Sequence, residues 1–206
     1  LENVTIRSAV RVGAGGPQLR LRLANDYGPA LTIGAASVRL AGGQTVKVTF
    51  GGQGAVRVPE GAPLVSDAIA LPVKAFDVVE VSLFFPEATP FNTVHDVVGQ
   101  QTLVSAPGDF FVGDLAPAEK WRLRPLISGI DVLGAKQRPV VVAFGDSITD
   151  GSRSTPNANA RWPDTLAKRL AQDERGPRVA VLNAGIGGNR VLGDGAGFSA
   201  LAWFDK

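Results

Sequence analysis

"VVAFGDSITDG", Val141–Gly151, decides how the second half of this chain folds. Apolar residues run into Gly145 and Asp146, Ser147 follows, and a polar turn closes the stretch. After Arg138, the run from Pro139 is continuously apolar, which suits a strand covered on both faces in a parallel sheet. In open α/β sheets, functional groups gather at the carboxyl ends of the strands. Ser147 stands at such an end, so two readings are open. It is a nucleophile presented past a strand, or it is a serine that only caps a helix in an ordinary turn.

The neighbouring sequence extends the α/β pattern. "ANARWPDTLAKRLAQDERG" (residues 158–176) carries Trp162, Leu166, Ala167 and Leu170 at helical spacing. Pro163 fits its first turn and Gly176 its stop. "RVAVLNAG" (178–185) reads as a second buried strand, and "FSALAWFDK" (198–206) as the opening of another helix. Strand, helix, strand, helix is an α/β unit. Adjacent parallel strands bring the loop at Ser147 beside the loop "NAGIGGNR" (183–190), whose glycines offer backbone N–H groups without side-chain obstruction.

Before about residue 131 the rhythm differs. "QLRLRLAND" (18–26) sends Leu19, Leu21 and Leu23 to one face and Arg20 and Arg22 to the other. Val46, Val48 and Phe50 alternate likewise, as do Val79, Val81 and Leu83. Turn-forming clusters separate these runs at the spacing of a β-sandwich. The boundary is expected in "DVLGAKQRP" (131–139), giving an N-terminal domain over residues 1–135 and the first part of an α/β domain over 136–206.

Composition narrows the function classes. The 206 residues carry a formal net charge of +2 without a block of like charges, which excludes the footprint of a nucleic-acid binder. No apolar run approaches the roughly 20 residues of a membrane helix. There is no cysteine, so thiolate metal sites and cysteine nucleophiles are excluded. "GDSIT" is not the G-x-S-x-G nucleophile elbow, since Thr149 takes the place of the second glycine. It is not a phosphate-binding P-loop, and "GIGGNR" lacks the third glycine of a dinucleotide fingerprint.

"FGDSITDG" (144–151) resembles the first block of the SGNH, or GDSL-type, serine hydrolases, esterases and lipases with a flavodoxin-like α/β fold. "VLNAGIGGNRVL" (181–192) is similar to the second block of that family, and "GSRSTPNANARWPDTLAKRL" (151–170) to the helix between the blocks in secreted bacterial members. The N-terminal half, including "HDVVGQQTLVSAPGDF" (95–110), is similar to the β-sandwich, jelly-roll-like, that precedes the hydrolase domain in a subgroup. The resemblance implies Ser147 as nucleophile, with oxyanion donors at the N–H groups of Ser147 and Gly188. It assigns Asp146 to holding the loop through hydrogen bonds. Asn189, Arg190 and Trp162 are candidates to line the site, with a solvated loop and a packed tryptophan as equally good accounts.

The family pattern also needs an Asn in a third block and an Asp-x-x-His block, and neither is present. Asn157 and Asn159 belong to no matching block. His95 is the single histidine, with Asn92 instead of an aspartate three positions before it, and reads as a structural histidine. The chain is therefore expected to be a piece of a longer protein, inactive alone and completed by a companion polypeptide. The expected activity is serine ester hydrolysis through an acyl-enzyme, on small-molecule or polysaccharide-linked esters, without metal or organic cofactor, in a secreted protein. The alternative is a non-catalytic carbohydrate- or surface-binding protein with a remnant hydrolase segment.

Overall fold

Alternation in sequence becomes alternation in burial along β2 (Gln18–Asn25): Leu19, Leu21 and Leu23 are buried while Gln18, Arg20 and Arg22 face solvent. The computed structural model describes residues 1–96, 99–134, 137–173, 175–176, 178–195 and 199–204, and Trp203 by its backbone alone. The chain divides into two compact units, Leu1–His95 with Gln101–Lys136, and Asp96–Gln100 with Gln137–Lys206. The residues on either side of the boundary expected from sequence, 135 and 136, lie outside the described ones.

The first unit is rich in β-strand. A six-stranded antiparallel sheet has the order β11 (Pro117–Trp121), β10 (Thr102–Ser105), β1 (Val4–Arg11), β8 (Val78–Phe85), β4 (Ala35–Leu40), β5 (Val46–Val48). A three-stranded sheet places β2 between β13 (Ile127–Leu133) and β7 (Ala62–Val65). Two short pairs join β3 (Leu31–Ile33) to β6 (Val56–Val58) and β9 (Val94–His95) to β12 (Arg124–Pro125). One apolar core takes Ile6 from β1, Val38 from β4, Val79, Val81, Leu83 and Phe85 from β8, and the three leucines of β2. Each such side chain contributes roughly 1.5–3 kcal/mol by leaving water.

The register that turns these residues inward turns a polar row outward. Arg7 lies opposite Ser82, which lies opposite Ser37; Arg39 lies opposite Glu80. This row is roofed by the segment from Gly108 to Asp114. Arg7, only 4% exposed, donates from Nε to Ser82 Oγ (2.8 Å) and from Nη2 to the carbonyls of Phe110 (3.1 Å) and Gly113 (2.9 Å). Arg39 donates to Glu80 (2.6 Å) and Asp114 (3.0 Å), and Ser37 donates to the carbonyl of Phe111. Burial holds the Arg7 pKa below the ordinary arginine value and the Arg39 cation adds to this, while Glu80 and Asp114 act in the opposite sense. The carbonyls of the roof therefore stabilise a cation that has left water.

The second unit contains the parallel ladder that the sequence implies. β14 (Val140–Gly145) pairs with β15 (Ala180–Gly185) from Val140 opposite Ala180 to Gly145 opposite Gly185. Between them come α1 (Ser147–Asp150) and α2 (Trp162–Gln172), and α3 (Ala200–Trp203) follows β15. Three expectations change. β14 is not covered on both faces: Val140 and Val142 are 53% and 54% exposed, because among the described residues the strand has β15 as its one neighbour. Trp162 is 47% exposed, since α2 turns Pro163, Asp164 and Ala167 inward instead. The same helix ends at Gln172, capped by Asp173, before reaching Gly176.

Replacing Arg7 with Met keeps an apolar stem but removes this donor from the Phe110 carbonyl and leaves the Gly113 carbonyl to Arg39 Nη1 alone (3.2 Å). We expect a loss of about 2–4 kcal/mol in urea unfolding, with faster proteolysis near Gly113. An unfolding free energy within 0.5 kcal/mol of the parent would show that the roof does not depend on this cation.

Candidate active site

Gly145 ends β14 and Asp146 begins the turn. The Asp146 carboxylate accepts a hydrogen bond from the Ile148 N–H (2.9 Å), and its carbonyl accepts from the Asp150 N–H (2.9 Å). Asp146 is thus the N-cap of α1, and Ser147 is the first helical residue. The capping alternative for the serine is answered by its neighbour, which takes that duty. Ser147 is half-buried, and its carbonyl accepts from the N–H groups of Gly151 (3.0 Å) and Ser152 (2.7 Å). Gly151 closes the turn in the left-handed region, at φ +109°.

The parallel register brings the second loop alongside. Beyond Gly185, the Ile186 N–H donates to the Gly145 carbonyl (3.0 Å), and the Asn189 N–H donates back to the Ile186 carbonyl (3.2 Å). Within that turn Gly188 sits at φ +73°, the value a type II turn demands at its third residue. Gly188 is exposed. Among the described residues, neither the Ser147 N–H nor the Gly188 N–H makes a hydrogen bond.

Asn183 and Gly185 fasten the two loops. The Asn183 side chain donates to the Thr149 carbonyl (2.8 Å) and accepts from the Gly185 N–H (2.9 Å). At Gly185 the backbones approach so closely that a Cβ would lie 2.2 Å from the Asp150 nitrogen and 2.7 Å from the Thr149 carbonyl carbon. Asn183 has no role in the reading from sequence. Its signal there is a lone amide inside the otherwise apolar run "AVLNAG", a polar group that cannot be buried without partners.

A depression of about 260 Å³ is lined by Gly145, Asp146, Thr149, Asn189, Arg190, Val191 and Ala200. Residues of both loops meet there, with Ser147 next to Asp146 and Gly188 next to Asn189 in the chain. Trp162, expected as a possible lining residue, is not among the residues that border it. Phe198, at the start of the second helical segment read from sequence, lies outside the described residues. Among those described, no three His, Cys, Asp or Glu side chains gather to hold a metal ion, and no helix is long and apolar enough to cross a membrane. His95 belongs to the first unit, where Arg124 Nη2 lies 3.2 Å from its Nδ1. Guanidinium can only donate, so Nδ1 is the acceptor of this bond.

The fastening at Gly185 yields a test. Gly185→Ala forces a methyl into the backbone of α1, and overpacking of this kind costs about 1–3 kcal/mol. Gly187→Ala meets nothing within 4 Å and is expected to stay within about 0.5 kcal/mol of the parent. Urea unfolding followed by Trp162 fluorescence, with Trp121 and Trp203 replaced by Phe in parent and variants alike, compares the two; equal stabilities would deny the close approach.

No curated protein matches the chain. Residues 141–205 match the family model described as GDSL-like Lipase/Acylhydrolase, a segment that begins in β14 and contains both loops of the depression. At family level this match supports an ester-type hydrolase for that segment.

Proposed function

We propose that this protein is a serine ester hydrolase of the SGNH type, with Ser147 as nucleophile and Gly188 as an oxyanion donor. The observation that carries the reading is the pairing of a serine relieved of capping duty with two N–H groups on adjacent loops that have no partner among the described residues. Ser147 Oγ attacks the ester carbonyl while its proton passes to a base. The carbonyl oxygen gains charge and accepts hydrogen bonds from the N–H groups of Ser147 and Gly188. The C–O bond to the alcohol then breaks, the alcohol takes the proton, and water hydrolyses the acyl-enzyme to the acid.

Residues 137–206 contain no histidine, and the chain's single one, His95, already accepts from Arg124 at Nδ1. In this reading a companion polypeptide supplies the base and the Asn of the family's third block. The same companion would cover β14, whose valines are exposed. The first unit is read as the β-sandwich, jelly-roll-like, of the secreted subgroup, supported by its two antiparallel sheets sharing one core. The domain division at residue 135 rests on the same grouping. Small-molecule or polysaccharide-linked esters are the substrate class, and secretion follows from the subgroup.

The chain alone is expected to hydrolyse an aryl ester no faster than the residual level of a triad enzyme lacking its base, about 10³–10⁴ over water. A fluorophosphonate should modify Ser147 slowly, faster with added imidazole, and not at all in Ser147→Ala. Brisk turnover by the isolated chain refutes the missing base. Retention on insoluble polysaccharide with no label on Ser147 refutes the hydrolase and favours a binding protein.

A further inference from the structure

Gly99 and Gln100 lie in sequence between β9 and β10, yet they group with the second unit. The Gly99 carbonyl accepts from the Asn157 N–H (2.7 Å), and Gln100 Nε2 donates to Asn159 Oδ1 (3.2 Å). That same oxygen accepts from Arg161 Nη2 (3.4 Å). Arg161 is held in turn by Asp164, a carboxylate in a residue only 4% exposed, which accepts from its Nε at 2.7 Å and its N–H at 3.1 Å.

The Arg161 stem lies directly on Gly151, where a Cβ would come within 2.1 Å of Arg161 Cγ. Gly151 is the residue that closes the Ser147 turn. The loop joining Gly151 to Arg161 holds Arg153, Asn157 and Asn159 in the left-handed region, at φ of 64°, 63° and 47°. Asparagine enters this region at little cost, but arginine holds it only where its surroundings impose it. Gly99 and Gln100 supply part of that imposition.

We propose that Gln100 is a positioning residue for Ser147, acting through Asn159, Arg161 and Gly151. The β-rich stretch of the sequence thereby lends the hydrolase unit a residue on which the nucleophile's turn depends. This rests on the reading of Ser147 as nucleophile for its catalytic meaning, but the coupling itself is a property of the fold.

Three variants of the full 206-residue chain test it. Gln100→Met keeps length and removes the donor. Asn159→Gly removes the acceptor while relieving the left-handed backbone. Asn159→Asp keeps an acceptor for both Gln100 and Arg161. Two readouts are compared: hydrogen exchange at the Gly151 and Ser152 amides, and the rate of fluorophosphonate labelling of Ser147 with imidazole present. Gln100→Met and Asn159→Gly should speed exchange at both amides about fivefold, the factor for one lost hydrogen bond, and slow labelling by a similar factor. Asn159→Asp should match the parent in both, and the Ala167 amide on α2 should not change in any variant. Unaltered exchange at Gly151 and Ser152 in Gln100→Met overturns the proposal, as does faster exchange in Asn159→Asp equal to that in Asn159→Gly. If the parent chain takes no label at Ser147, the hydrolase reading fails, while exchange still decides the coupling.

Discussion

The approach of Gly185 to the backbone of Asp150 is the constraint on which the second unit depends. Only a residue without Cβ lets the end of β15 come within contact of α1, and the parallel ladder then fixes which residues face one another. Asn183 locks this arrangement by using both ends of one amide, donating to α1 and accepting from the strand end. Two loops far apart in sequence are thereby held side by side on a rigid base. A site that relies on orientation needs such support, because small displacements of reacting groups are costly.

The first unit meets a different demand. Its six-stranded sheet buries an apolar face and a polar one, and the polar face is tolerated because its charges find partners. Arg7 is held by a hydroxyl and two carbonyls, and Arg39 by two carboxylates. Unpaired buried polar groups are expensive, so the roof and the row beneath it stabilise each other. The apolar core alone does not explain why Gly108 to Asp114 adopts one course over the sheet; the arginines do.

The turn at Ser147 is built by a division of labour. Asp146 caps α1, Gly151 closes it, and the serine between them is left without a structural hydrogen-bonding task for its N–H. The one histidine of the chain is engaged by Arg124 in the first unit, and its ring orientation is set there.

The sequence by itself determined the periodicities and therefore the element types: alternation at Leu19, Leu21 and Leu23 gives a half-buried strand, and the apolar runs at 140–145 and 180–185 give strands that pair in parallel. It also marked Ser147 and the glycine loop, because both stand at strand ends and their stretches resemble two blocks of one family. Only the tertiary structure decided that Asp146 and not Ser147 caps the helix, that Asn183 ties the loops, and that Trp162 faces outward while Asp164 faces in. These depend on which backbone groups come within about 3 Å of a side chain, a property of three-dimensional register that no spacing along the chain encodes. The exposure of β14 is of the same kind: an apolar run specifies a strand that can be buried, whereas burial itself depends on which neighbours stand beside it.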